Sequence, residues 1–205
     1  MPTKIDLVTF SRRSFLKGAA AAGLMPALPA VAAAAAPPDP LRDGSVLDRL
    51  VPLIDPVIHL RNANTGEETE LRFFEDGAYL EGPVKKLNWM FRDWRQEAAP
   101  QIDVRLFWAL AAIRGGAMQE GHSGKIQLLS GYRTRATNDL LRRKGYKAAD
   151  KSYHLKARAS DLRLEGVPME QLAEYAEWLE VGGVGRYKRS NFVHIDSGPI
   201  RGWRQ

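Results

Sequence analysis

"KSYHLKARASDLRL", Lys151 to Leu164, decides how this chain folds. From Ala159 onward it alternates as a strand does, with Ala159, Asp161 and Arg163 on one face. His154 stands just ahead of that strand, so a loop-to-strand path folds its imidazole back over the face that shows Asp161. A second stretch, "NFVHIDSG" (Asn191 to Gly198), has the same character, and Phe192, His194 and Asp196 share one face of a strand there. The chain has four histidines, and two of them sit in these two segments. Two imidazoles and one carboxylate can converge on one point. With a fourth position left to water, that is a catalytic zinc arrangement. A lone His–Asp pair is more often a satisfied hydrogen bond, so the surrounding sequence must arbitrate.

The neighbouring segments supply a sheet and its helices. "KIQLLSGYR" (125–133) predicts a strand running into a tight Ser-Gly turn, and "ATNDLLRRKG" (136–145) a short helix ended by Gly145. Pro168 opens a helix through Leu179, and "GGVGRY" (182–187) pairs with "NFVHIDSG" around a short turn. Upstream, residues 57–82 read as short strands with turns at Asn64-Thr65-Gly66 and Asp76-Gly77. Leu87, Met90, Phe91 and Trp94 fall at helical spacing and form a core stripe. Residues 103–117 predict a more buried helix that stops at Gly115-Gly116. The expected class is α+β: one domain over residues 46–205, with packed helices and a small, mainly antiparallel sheet that carries the last third and the metal site.

The N-terminus sets the compartment. "SRRSFLK" (11–17) is followed by an alanine-rich apolar run to Ala36, broken by Pro26 and Pro29. A basic start, an apolar middle and a small-residue end make a secretory signal, and the arginine pair resembles the twin-arginine export address. "AVA" (30–32) fits a cleavage site, which gives a signal over 1–32 and a linker over 33–45. So weakly apolar and proline-broken a run is a poor membrane helix, so no stable anchor is expected after cleavage. The signal holds Lys4, Arg12, Arg13 and Lys17 against Asp6, so half of the chain's net charge of +6 belongs to it. No basic run follows in residues 33–205, which argues against nucleic acid as a partner. The chain has no cysteine, so disulfides and thiolate ligands are excluded and any metal site is built from His, Asp and Glu.

Four segments carry a family resemblance: "SGYRTRATNDLL", "SYHLKARASDLRLEGV", "GGVGRY" and "NFVHIDSGPIRGW", in this order. Together they resemble the M15-type zinc peptidases of the D-alanyl-D-alanine carboxypeptidase clan, and more closely a twin-arginine-exported branch of murein endopeptidases. The resemblance implies a Zn2+ site with His154, Asp161 and His194 as ligands. It places Ser130, Tyr132 and Arg133 in a substrate-binding turn, with Arg133 facing the cleft to hold a carboxylate or polarise a carbonyl. A guanidinium just after a strand-ending turn also suits that role on its own chemistry. The implied function is a periplasmic peptidoglycan hydrolase that cuts stem peptides or cross-links through metal-activated water, with peptidoglycan and the export machinery as partners.

Two departures matter. Ala157 stands where the family usually has glycine, and a positive φ there costs alanine about 1 kcal/mol or more. Asn191 and Phe192 stand where several such enzymes carry a general base, and neither accepts a proton. Asp196, on the face of His194, is the local candidate, either as a catalytic base or as a residue that orients a ligand histidine. The missing base keeps open an alternative: a zinc-containing but inactive cell-wall binding module.

Overall fold

The computed structural model describes residues 44–205. The expected signal and all of the linker except Gly44 and Ser45 lie outside the described residues. Strand β1 (Val57–Asn62) turns at Asn64-Thr65-Gly66 into β2 (Glu68–Arg72). The turn is held by the Asn62 side chain, whose Oδ1 accepts the Asn64 N–H at 2.9 Å. A separate two-residue hairpin joins β3 (Phe74–Glu75) to β4 (Ala78–Tyr79). Its Asp76 and Gly77 have φ of 50° and 79°, the pair of left-handed residues that a type I′ turn needs.

The main sheet has seven strands in the order β2-β1-β5-β6-β8-β7-β9. These include β5 (Ile126–Ser130), β6 (Ala159–Leu164), β7 (Gly183–Tyr187), β8 (Phe192–Asp196) and β9 (Arg201–Arg204). The class is α+β, and four of the six strand pairings are antiparallel. The sheet reaches beyond the last third of the chain because β1 joins β5 in parallel and brings β2 with it. The β7–β9 pairing is also parallel and places β9 at the edge.

The described helices are α1 (Val46–Leu50), α2 (Glu81–Met90), α3 (Val104–Gln119), α4 (Arg135–Arg143) and α5 (Met169–Trp178). Helix α3 is buried almost all round and packs on β1, while α5 packs on β7 and β8. Its apolar side chains join those of β1, β5, β6 and β8 in one core, where each fully buried Leu, Ile or Phe contributes about 1.5–3 kcal/mol.

Two helix ends differ from the sequence pattern. Helix α3 runs through Gly115-Gly116 because Gly116 serves packing: a Cβ there would sit 2.7 Å from the Tyr175 hydroxyl of α5. Helix α2 ends at Met90, before Trp94, which is 36% exposed. The chain turns there because Asp93 and Ala98 bridge, and the Asp93 carboxylate caps α4 by accepting the Thr134 N–H at 2.9 Å. Helix α4 ends as expected at Gly145, which takes φ 80°, with the Tyr146 N–H reaching back to the Leu141 carbonyl.

Candidate metal centre

The strand register builds the site. One row crosses the sheet through Ser130, Asp161, His194, Gly185 and Trp203, each paired with the next. His154 comes from the 3-10 turn Tyr153–Lys156, just ahead of β6. That turn closes through Ala157, which takes φ 56° and ψ 35°, so the left-handed position is filled by alanine at the cost anticipated above. The turn is fixed to the Ser130–Arg133 segment by two bonds. The Arg133 N–H donates to the His154 carbonyl at 3.1 Å, and His154 Nδ1–H donates to the Gly131 carbonyl at 2.6 Å.

His154, Asp161 and His194 meet. His154 Nε2 lies 3.2 Å from both Asp161 Oδ1 and His194 Nδ1, and His194 Nδ1 lies 2.8 Å from Asp161 Oδ1. All three residues are buried. Each imidazole has its other nitrogen committed outward, His154 to Gly131 and His194 Nε2–H to Asp196 Oδ2 at 3.0 Å. Those outer bonds leave the inner nitrogens as bare lone pairs facing a carboxylate oxygen. Three lone pairs in contact repel one another unless a cation sits among them. Tetrahedral zinc bonds of about 2.0–2.1 Å hold ligand atoms roughly 3.3 Å apart, close to the spacing found here. The donor set therefore fits a zinc-type ion with two imidazoles, one carboxylate and a position open to the cleft.

The charges around the site are uneven. Burial, reinforced by the Arg133 guanidinium, pushes the His154 pKa down to about 4, so its ring is neutral and ready to ligate. Burial also opposes protonation of His194, but the neighbouring Asp161 and Asp196 carboxylates outweigh it and raise that pKa when no cation occupies the site. Burial disfavours the Asp161 anion, yet His154 and Arg133 hold it well below the usual carboxylate range. Asp196 is fully buried and is nevertheless held down at about 2 by His194 and Arg201.

Asp196 has no free acceptor position facing the cleft. Its Oδ1 accepts from the N–H of Gly183 and Gly198 and from Arg201, and its Oδ2 accepts from His194 and Arg201. Asn191 and Phe192 supply no proton acceptor: the Asn191 carbonyl holds Arg163 at 2.7 Å, and Phe192 stacks on Tyr187 with ring centroids 4.4 Å apart.

The His154–Asp161–His194 cluster lies in a cleft of about 590 Å³. Ser130 and Arg133 line it, and they are bonded to each other, Arg133 Nε donating to Ser130 Oγ at 2.8 Å. Tyr132 does not line it. Its ring packs against the core, because the Gly131-Tyr132 backbone is pressed onto the end of α2, where the Tyr132 N–H donates to the Phe91 carbonyl at 2.7 Å. Arg133 is less exposed than a substrate fork need be. Its Nη2 pairs with Asp161 Oδ2, which leaves Oδ1 for the histidines, and its side chain is 13% exposed. Arg133→Ala should therefore lower the melting temperature of the metal-free protein. A hydrogen bond to a charged group is worth about 1.5–3 kcal/mol, or roughly 3–10 °C for a domain of this size. An unchanged melting curve would leave Arg133 as a substrate group alone.

Arg201, Trp203, Tyr187 and the Gly131 carbonyl also shape the site, and sequence reasoning gave them no role. Arg201 and Trp203 fall within the quoted "NFVHIDSGPIRGW", so the segment was visible although its contacts were not.

Two imidazoles and a carboxylate gathered in a cleft on an α+β sheet are the donor set that a single-metal hydrolase uses. Comparison with known proteins makes this more specific. The chain belongs to the M15-type peptidase family described as peptidoglycan L,D-endopeptidase MepK, which matches residues 55–203. It is 41% identical over 147 residues to the peptidoglycan L,D-endopeptidase MepK of Escherichia coli (strain K12), covering 72% of this chain and 79% of that protein. It is 36% identical over 148 residues to the probable peptidoglycan L,D-endopeptidase MepK of Haemophilus influenzae, covering 72% and 78%. Residues 9–29 match the twin-arginine translocation signal, so the protein is exported to the periplasm. No solved structure matches the chain. Among the described residues no helix is long and apolar enough to cross a membrane.

Proposed function

We propose that the protein is a zinc-dependent peptidoglycan endopeptidase that cleaves L,D peptide bonds in murein cross-links. The observation that carries the zinc reading is the contact of three lone-pair atoms whose outward partners, Gly131 and Asp196, fix both imidazole tautomers. The L,D choice follows the names borne by the relatives. His154, Asp161 and His194 hold the ion, which when bound supplies Lewis-acid polarisation of the scissile carbonyl and a water nucleophile at neutral pH. Arg133 holds Asp161 by its second oxygen and stands at the cleft wall, within the same lining as Ser130, where it meets the substrate. Asp196 keeps the His194 proton on Nε2 and so keeps Nδ1 turned to the ion.

The alternative is a zinc-containing cell-wall binding module without activity. It is favoured by one observation: Asp161 and Asp196 are the only carboxylate side chains among the described residues that line the cleft, and both are fully engaged. Purified zinc-loaded protein decides between them when given muropeptide dimers joined through L,D bonds or through D,D bonds. The L,D dimers should fall to monomers and the D,D dimers should remain. A chelator should stop the reaction, and added zinc should restore it. Cleavage of D,D dimers alone would overturn the bond assignment. No cleavage of either by zinc-loaded protein would favour the binding module.

A further inference from the structure

We infer that Arg201 is a positioning residue for the metal centre, acting on His194 through Asp196. The inference rests on the zinc reading above and goes beyond it, since it concerns a residue three contacts away from the ion. A second row crosses the sheet next to the ligand row: Ala159, Asp196, Gly183 and Arg201, each paired with the next. Within it, Arg201 grips Asp196 as a fork, Nη1 to Oδ1 at 3.0 Å and Nη2 to Oδ2 at 2.7 Å. Asp196 passes the constraint on, because the same Oδ2 accepts the His194 Nε2–H. A fully buried carboxylate needs compensating charge, and Arg201 is the only guanidinium or ammonium paired with Asp196 among the described residues.

The surroundings are shaped for this grip. At Gly183 a Cβ would fall 2.3 Å from Arg201 Nη1 and 2.5 Å from Asp196 Oδ2, so glycine there opens the path between them. The Arg201 guanidinium also lies 5.1 Å from the ring centroids of both Tyr153 and Trp203, which hold it by cation–π attraction. Trp203 in turn touches His194, with ring centroids 5.2 Å apart. The edge strand β9 is thus tied to the metal ligand by a charge fork and an aromatic contact. Without the fork, Asp196 keeps only the Gly183 and Gly198 N–H groups, both on Oδ1, so Oδ2 and the His194 Nε2–H it accepts are held less firmly. The imidazole can then present a protonated Nδ1 to the site, which repels a cation.

The test is the zinc dissociation constant, measured by chelator competition, beside KM and kcat for cross-link cleavage. Arg201→Ala should bind zinc 10- to 100-fold more weakly, the usual cost of losing an outer partner of a metal ligand. Its kcat should recover substantially at saturating zinc, with KM little changed. Arg201→Lys, which keeps the charge but loses the fork, should fall between. Gly183→Ala leaves Arg201 in the chain yet should weaken zinc in the same direction. Unchanged zinc affinity in Arg201→Ala, or a raised KM as its sole defect, would overturn the inference and make Arg201 a substrate or surface group. A wild type that takes up no divalent metal would instead overturn the zinc reading, and this inference with it.

Discussion

The His154→Ala protein should contain little or no zinc after purification and should cleave at least 10³-fold more slowly than the wild type. The expectation follows from where the imidazole stands. His154 Nε2 is one of three atoms in contact around the site, and His154 is the imidazole whose neutral form is best secured, by burial and by Arg133. Alanine removes a third of the protein donors. Losing the ion forfeits several kcal/mol of transition-state stabilisation, at tenfold in rate for each 1.4 kcal/mol or so. The substitution also has a structural cost, because His154 is buried and its Nδ1–H satisfies the Gly131 carbonyl. An unsatisfied buried carbonyl costs about 1–3 kcal/mol, so some loss of melting temperature is expected. Elemental analysis on the folded fraction separates the two effects. Equal zinc in variant and wild type would remove His154 from the ligand set, whatever happened to stability.

The convergence of His154, Asp161 and His194 was legible in the sequence because it depends on local rules. Period-two alternation put His194 and Asp196 on one face and placed Asp161 in the neighbouring strand, and the register then paired Asp161 with His194. Ala157 was legible only through the family resemblance, which has glycine there, and the structure gives it φ 56°. What could not be read were contacts set by packing between distant segments. Gly116 looked like a helix stop because glycine is a poor helix former, and only the Tyr175 hydroxyl of α5 shows why it is there. Trp94 matched the helical stripe, but the Asp93 carboxylate was drawn to cap α4 and ended the helix first. Tyr132 shared a motif with Ser130 and Arg133, yet the close seat of Gly131 on α2 turns its ring to the core. Arg133 was expected at the cleft and lines it, but its pairing with Asp161, which depends on the β5–β6 register, had no local sign. The parallel seat of β9 beside β7, which brings Arg201 to Asp196, has no local signature at all.

Asp196→Asn should bind zinc roughly 10- to 100-fold more weakly than the wild type, and saturating zinc should restore much of its cleavage. In the native carboxylate five donors surround two oxygens. Asparagine keeps one oxygen and replaces the other with a donor. If the nitrogen takes the Oδ1 position, it faces two backbone N–H groups and Arg201. At the Oδ2 position it faces His194 and Arg201, two donors rather than three, so this is the less costly orientation. There the His194 Nε2–H meets an N–H group, and the ring responds by moving its proton to Nδ1, the atom that must face the ion. The penalty therefore falls on zinc affinity, on the scale found for outer partners of metal-bound histidines. A catalytic base predicts a different pattern. Zinc would be retained, and cleavage would fall by about 10²- to 10⁴-fold, with no rescue by added metal. The wild-type arrangement argues against that outcome, because a carboxylate without a free lone pair toward the cleft has no position from which to take a proton from water. Retained zinc with lost cleavage would restore Asp196 as the base. Weakened zinc with rescue would assign it to holding His194.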